Sequence, residues 1–476
     1  MRSMRSMQLF VAACLLLIVT ATAVPAALHP IGDWMGYGAE AFANHTLLDL
    51  VLPGTHDTLT FDLSTSISDN ANDLPPPIAA LLHDLHDFAG LAAAVRRQAT
   101  TQHGNLTQQL DAGMRFIDLR ITFTAPPDAP SPNDNSGDDT SGGEAWYGLH
   151  MLQTVRPALE HLRHVKAWFD AHPTEVIVVW VSRHGSTCYN TFPGASAEQQ
   201  RRFWRDVIEL FGPLVFRNHR PWNVTTLHEY VHVLRQRVVF VVSDRAAQMV
   251  PEDLRDTAMD GCLAIDNQLG IDVSNVARTA QKLSQLRNGM AERRARDKAN
   301  GRLYLLSMSA GATPEQISGA VVLRFLQDEL HLPPSDVANI TRACGESFHL
   351  PVPIPTWCPP TLASIGRLTN YYAQSFFESA VNASAGDPSA GPTLPAALYI
   401  DAVSPAPDGT LLTGESDDPS VSPRYAYVAS SVLTSINVLC RDRCARLRAT
   451  YETLRQAAPA RFPVNTTIGR DGSAGW

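Results

Sequence analysis

Basic residues are scarce in this chain. Lys and Arg number 38 against 47 Asp and Glu, which leaves a formal net charge of −9 over 476 residues. Such a surface lacks the positive, phosphate-facing patch that sequence-independent nucleic-acid binding needs, so no nucleic-acid partner is expected. Nor would charge draw the protein to anionic bilayers. Glycine-rich phosphate loops are missing too. No GxGxxG or GxxxxGK(S/T) follows a strand-like run, which leaves nucleotide binding without support. There is no internal repeat. Beyond the N-terminal segment, no uncharged apolar run approaches the ~20 residues of a membrane span. Charged residues make up 18% of the chain and hydrophobic ones 45%, a globular composition that excludes a disordered or collagen-like protein.

The N-terminus carries Arg2 and Arg5, an apolar run at 9–19 and a small-x-small site, Ala21-Thr22-Ala23. That three-part layout predicts a secretory signal peptide over residues 1–23, with an uncleaved anchor as the alternative, and a secreted or secretory-lumenal protein. Cysteine usage agrees. Cys14 lies in the signal, and six others remain: Cys188, Cys262, Cys344, Cys358, Cys440 and Cys444. An even count in an oxidising compartment points to disulfides, and proximity suggests Cys344 with Cys358 and Cys440 with Cys444. No second Cys or His pair completes a zinc site around Cys440 and Cys444. Asn-x-Ser/Thr sequons at Asn44, Asn105, Asn223, Asn339, Asn382 and Asn465 mark expected glycosylated surface.

Short apolar runs at 47–52, 115–122, 175–181, 237–243, 262–265, 303–308 and 397–400 read as buried strands. Helical patterns lie between them at 78–97, 157–172, 197–211 and 276–299. Alternation of this kind predicts an α/β protein with a parallel sheet, best satisfied by an irregular (β/α) TIM-like barrel; an open doubly wound sheet is the alternative. The expected organisation is one barrel over 30–455, polar insertions at 125–144 and 404–422, and a polar tail at 456–476.

In a parallel barrel, chemistry gathers at the C-terminal ends of the strands. Ionisable residues stand just past several runs: His56 and Asp57, His150, Arg183, and Asp401. Arg115 and Arg120 sit on an otherwise apolar run. They are expected either to bridge Asp118 or to form an anion site.

These residues carry a resemblance. Pro53-Gly54-Thr55-His56-Asp57, then Gly113-Met114-Arg115-Phe116-Ile117-Asp118-Leu119-Arg120, then Tyr147-Gly148-Leu149-His150, resemble the catalytic X domain of phosphatidylinositol-specific phospholipases C. The similarity is clearest over 30–185 and returns at Leu398-Tyr399-Ile400-Asp401. It implies an irregular barrel and a phosphodiesterase that cleaves phosphatidylinositol or glycosylated relatives at a membrane surface, with no stable protein partner. By resemblance His56 is the general base, His150 the general acid, Asp401 the carboxylate that orients His56, and Asp57 the support for His150 and Arg120. Calcium-dependent members place a second carboxylate where this chain has Arg120, so the resemblance implies no metal and no cofactor. Arg183 and Asp266 are the candidates for substrate contact. Met151 stands where the family has glycine. A catalytically idle barrel that binds a phosphorylated lipid or glycan is the alternative function. Leu85 and Phe88, on the stripe of the predicted helix 78–97, are expected either in the core or on a lipid-facing rim.

Overall fold

A computed structural model describes residues 32–65, 95–96, 99–127, 143–183, 185, 188, 191–243, 249–269, 289–308 and 396–400. The expected signal peptide, most of both polar insertions, the tail, Leu85, Phe88, Asp401 and the four cysteines from Cys344 to Cys444 lie outside the described residues.

Ten strands are described: β1 (Leu52–Thr55), β2 (Phe116–Thr124), β3 (Ala145–His150), β4 (Leu152–Pro157), β5 (Ile177–Ser182), β6 (Val238–Val242), β7 (Ala258–Asp260), β8 (Ile265–Leu269), β9 (Leu303–Ser307) and β10 (Ala397–Ile400). Eight run parallel in the order β7-β6-β5-β2-β1-β10-β9-β8. Neighbours follow chain order around the sheet, and the last strand pairs with the first, Leu52 opposite Ala397 through Thr55 opposite Ile400. That order is a barrel with one open seam. Among the described residues, β7 and β8 share no ladder. The antiparallel hairpin of β3 and β4 extends from the far end of β2.

Side-chain alternation sorts two cores. Phe116, Val178, Trp180, Val239 and Val241 point inward. Their neighbours Ile117, Leu119, Val179, Val181 and Phe240 point outward. The period of two forces this split, because successive Cβ atoms leave opposite faces of a strand. Outside the sheet pack α2 (Ala158–Ala171) and α3 (Ala197–Phe211), which follow α1 (Leu106–Asp111) in the chain. Helix α3 begins where sequence chemistry requires: the Ser196 side chain accepts from Gln199 N, and Gln199 Oε1 accepts from Ser196 N, a capping box. It buries Phe203, Trp204, Val207 and Phe211 on one stripe. Each such side chain contributes roughly 1.5–3 kcal/mol by burial. Helix α4 (Met290–Ala299) is the end of the predicted segment 276–299.

Two predicted strands are corrected. Leu47–Asp49 is a 3₁₀ turn, because Thr46 and Asp49 satisfy each other in a capping box, and β1 starts only at Leu52. At 262–265, the Asp260 side chain accepts from Cys262 N at 2.9 Å and nucleates a helical turn, Gly261–Ala264, so β8 begins at Ile265. The structure also pairs Cys188 with Cys262, a disulfide that sequence proximity did not suggest.

Candidate active site

Strand β1 delivers the site. Its backbone continues into a tight turn in which His56 N donates to Ile400 O at 3.0 Å and Thr58 N donates to Asp118 O at 3.1 Å. Gly54 is needed one residue before Thr55, since a Cβ there would meet Phe116 O at 2.7 Å. Asp57 takes φ of 48°, the left-handed region that aspartate tolerates better than most residues. That backbone aims its carboxylate back across the end of β2. Gln102, fully buried, fastens the turn: its Nε2 donates to His56 O at 2.8 Å and to Ile400 O at 2.9 Å.

Inward alternation on β2 puts Asp118 and Arg120 on the face that carries Phe116. Arg120 Nε lies 2.7 Å from Asp57 Oδ1, and its Nη2 lies 3.0 Å from Asp118 Oδ2. Asp57 Oδ2 faces both imidazoles, 3.2 Å from His56 Nδ1 and 3.4 Å from His150 Nε2. The two rings stand edge to face with centroids 6.4 Å apart. His150 Nδ1 is 2.7 Å from Ala99 O. A carbonyl only accepts, so Nδ1 carries a proton and Nε2 is the nitrogen turned toward Asp57. Both rings are partly exposed, whereas Asp57 is sealed beneath them.

Burial pushes the Asp57 carboxyl up, but the positive charge of Arg120, then those of His150 and His56, outweigh it and hold the group below its ordinary value. Asp57 is therefore an anion at neutral pH. Ligand-type atoms of His56, Asp57 and Asp118 lie within 4.8 Å of one another, the one such set of three among the described residues. The Arg120 guanidinium already lies against both of those carboxylates and supplies the positive charge there.

The structure brings His56, Asp57, Arg120 and His150 together. Asp57 reaches farther than expected and touches His56 as well as His150 and Arg120. Asp401, immediately after β10, lies outside the described residues. Arg183 is buried, 1% exposed, and donates to Thr122 Oγ1 at 3.0 Å. Asp266 is not part of this cluster. It pairs in register with Tyr304, one level below the start of β1, so it sits roughly 16 Å along the strands from His56. There its carboxylate meets Arg296 at 3.2 Å.

Arg115 is likewise corrected. It neither pairs with Asp118 nor opens an anion site. It is fully buried against Glu175, with Nη2 2.7 Å from Oε2. Sequence reasoning missed Gln102 and Ala99, which act on backbone and ring nitrogen without any motif.

No protein-family model matches the chain. Among curated proteins, PI-PLC X domain-containing protein 1 of Danio rerio is 28% identical over 181 residues, covering 38% of this chain and 50% of that protein. PI-PLC X domain-containing protein 3 of Homo sapiens is 33% identical over 149 residues, 31% of this chain and 40% of that protein. Over these stretches the chain is similar to PI-PLC X domain proteins. It spans about half the length, or less, of the X-domain relatives it matches. Solved structures with similarity include a phosphatidylinositol-specific phospholipase C of S. aureus, with 14% identity, a TM-score of 0.41, and coverage of 85% of this chain and 97% of that one. Another is the enzyme of Listeria monocytogenes, with 15% identity, a TM-score of 0.36, and coverage of 71% and 97%. Met151 follows His150 with φ of 61°. That left-handed turn is one glycine adopts without strain.

Proposed function

We propose that this protein is a phosphoric diester hydrolase or lyase that cleaves phosphatidylinositol, or glycosylated lipids built on it, at the bond between phosphate and glycerol. The observation that carries this reading is the single Asp57 carboxylate shared by His56 and His150, with Arg120 on its other oxygen. Two imidazoles on one carboxylate can serve as an acid and a base in the same reaction. His56 takes the proton of the inositol 2-hydroxyl. The hydroxyl oxygen forms a bond to phosphorus, and the bond from phosphorus to the glycerol oxygen breaks. His150 supplies the proton that the departing glycerol oxygen needs.

Arg120 neutralises charge that builds on the phosphoryl oxygens, a fixed donor in a site where little reorganises. Asp57 faces His150 and holds Arg120 in place. In this reading Asp401 orients His56, Arg183 contributes at the strand end, and no metal takes part. The site meets its substrate at a membrane surface, outside the cell or in the secretory lumen; the Cys188–Cys262 disulfide supports an oxidising compartment.

The test is release of water-soluble inositol phosphate from labelled phosphatidylinositol, run beside cleavage of a lipid-anchored protein. Release by the wild type and not by His56→Ala supports the reading. Retention of the phosphate on lipid in every condition, with tight lipid binding, would convert it to the idle-barrel alternative.

A further inference from the structure

Gly185, just past β5, lies against the site. Ser182, the last residue of β5, stands in register with Arg120 on β2. Three residues on, Gly185 takes φ of 64°, and its N–H donates to Ser182 Oγ at 3.0 Å. Its backbone lies directly on the Arg120 guanidinium. An added Cβ would come 2.8 Å from Cζ and 3.0 Å from Nε, so only glycine lets the chain approach so closely.

Three residues beyond Gly185, Cys188 is bonded to Cys262. Cys262 belongs to the helical turn Gly261–Ala264 between β7 and β8, the two strands that leave the seam open. A three-residue span reaches at most ~11 Å. The bridge therefore ties the chain just past Gly185 to the barrel edge between β7 and β8, which share no ladder among the described residues. Both cysteines are partly exposed, within reach of a reductant.

We propose that the Cys188–Cys262 bridge, acting through Gly185, is a positioning device that presses the Arg120 guanidinium against Asp57, and that breaking it slows the reaction without unfolding the barrel. This rests on the phosphodiesterase reading for its effect on rate, but the coupling itself has a readout that needs no turnover. A guanidinium that withdraws leaves the Asp57 charge more fully to the imidazoles, and the apparent titration of the His56 and His150 pair moves up in pH.

The experiment uses the full chain as Cys188→Ser/Cys262→Ser, with NMR titration of the two histidines, kcat and KM on a short-chain soluble phosphatidylinositol, and the melting temperature. The expected result is an upward titration shift and a kcat lower by about 10–100-fold, the scale of a displaced catalytic group, with KM changed far less. Reduction of the bridge in the folded wild type should reproduce the shift, and it decides the matter if the cysteine variant does not fold. In an Arg120→Ala background, breaking the bridge should add nothing. A lower melting temperature with an unmoved histidine titration would make the bridge a staple only and overturn the proposal, as would full additivity with Arg120→Ala. A wild type that cleaves no lipid would remove the proposed function, while the titration would still decide the coupling.

Discussion

Arg115 and Arg120 bracket the start of one strand and serve its opposite ends. Arg115, just before β2, clamps Glu175 with Nη2 2.7 Å from Oε2 and lies over the Trp168 ring at 5.0 Å. Arg120, five positions on and inward, reaches Asp57 and Asp118 at the mouth. Glu175 also accepts from Gly36 N at 3.0 Å, so the first pair fastens the segment before β1 to the base of the barrel. The two arginines should separate cleanly in mutants.

Glu175→Gln should cost roughly 3–5 kcal/mol, because it leaves the Arg115 charge buried without its partner. Chemical denaturation measures this. The histidine cluster should be unaffected, so kcat on a soluble substrate should stay within about twofold of wild type at a temperature where the variant is folded.

Arg120→Ala should lower the rate on the order of 10²–10³-fold, by analogy with loss of one donor to a developing oxyanion. Arg120→Lys should recover part of it, since a lysine restores charge without the planar fork. Activity of the wild type in excess chelator should match that in buffer. Activity lost to chelator and restored by calcium would reverse the metal-independent assignment.

His56→Ala and His150→Ala should each nearly abolish turnover with the fold retained by circular dichroism. Wild-type kcat/KM should pass through a maximum between two apparent values that belong to the coupled pair. A rate that rises to a plateau with no falling limb would remove the two-histidine mechanism.

Gln102→Leu removes both donors to His56 O and Ile400 O while keeping much of the volume. Each carbonyl would lose one donor and keep another, Thr101 Oγ1 on His56 O and His56 N on Ile400 O, at about 0.5–1.5 kcal/mol each. The melting temperature should fall, and kcat should fall with it as the His56 turn loosens. Gln102→Glu should not rescue, because a carboxylate cannot donate.

Acid stability carries the signature of lowered carboxyls. Asp57 is below its ordinary 3.8, with burial opposing and Arg120, His150 and His56 prevailing. Asp62 is lowered too: burial opposes, and hydrogen bonds from His161 and Arg156 prevail. A group depressed in the native state adds stability that is complete above its unfolded value and is lost as the pH falls through its native value. The melting temperature should therefore drop steeply below about pH 4, and less steeply in Asp62→Asn.

Much of this protein is local in origin. Apolar runs with alternating faces specified β2, β5, β6, β9 and β10, the Ser196 box started α3, and His56, Asp57 and His150 at strand ends, with Arg120 on an apolar run, marked the site. Those features depend on neighbours within a few residues, which a linear reading can see. Segments 47–52 and 262–265 misled because Asp49 and Asp260 side chains captured nearby backbone N–H groups and turned apolar stretches away from extended structure.

What remained needed the closed arrangement of strands. Arg115 and Asp118 are three residues apart, yet the first finds its carboxylate 60 residues away in Glu175. Asp266, a candidate for substrate contact, is set by the ladder at the base of the sheet. Cys188 found Cys262 across 74 residues because β5 and β7 end on the same rim. Partner choice over such distances is set by register and strand order, which gather residues from many parts of the chain at once. No single stretch of sequence carries that information.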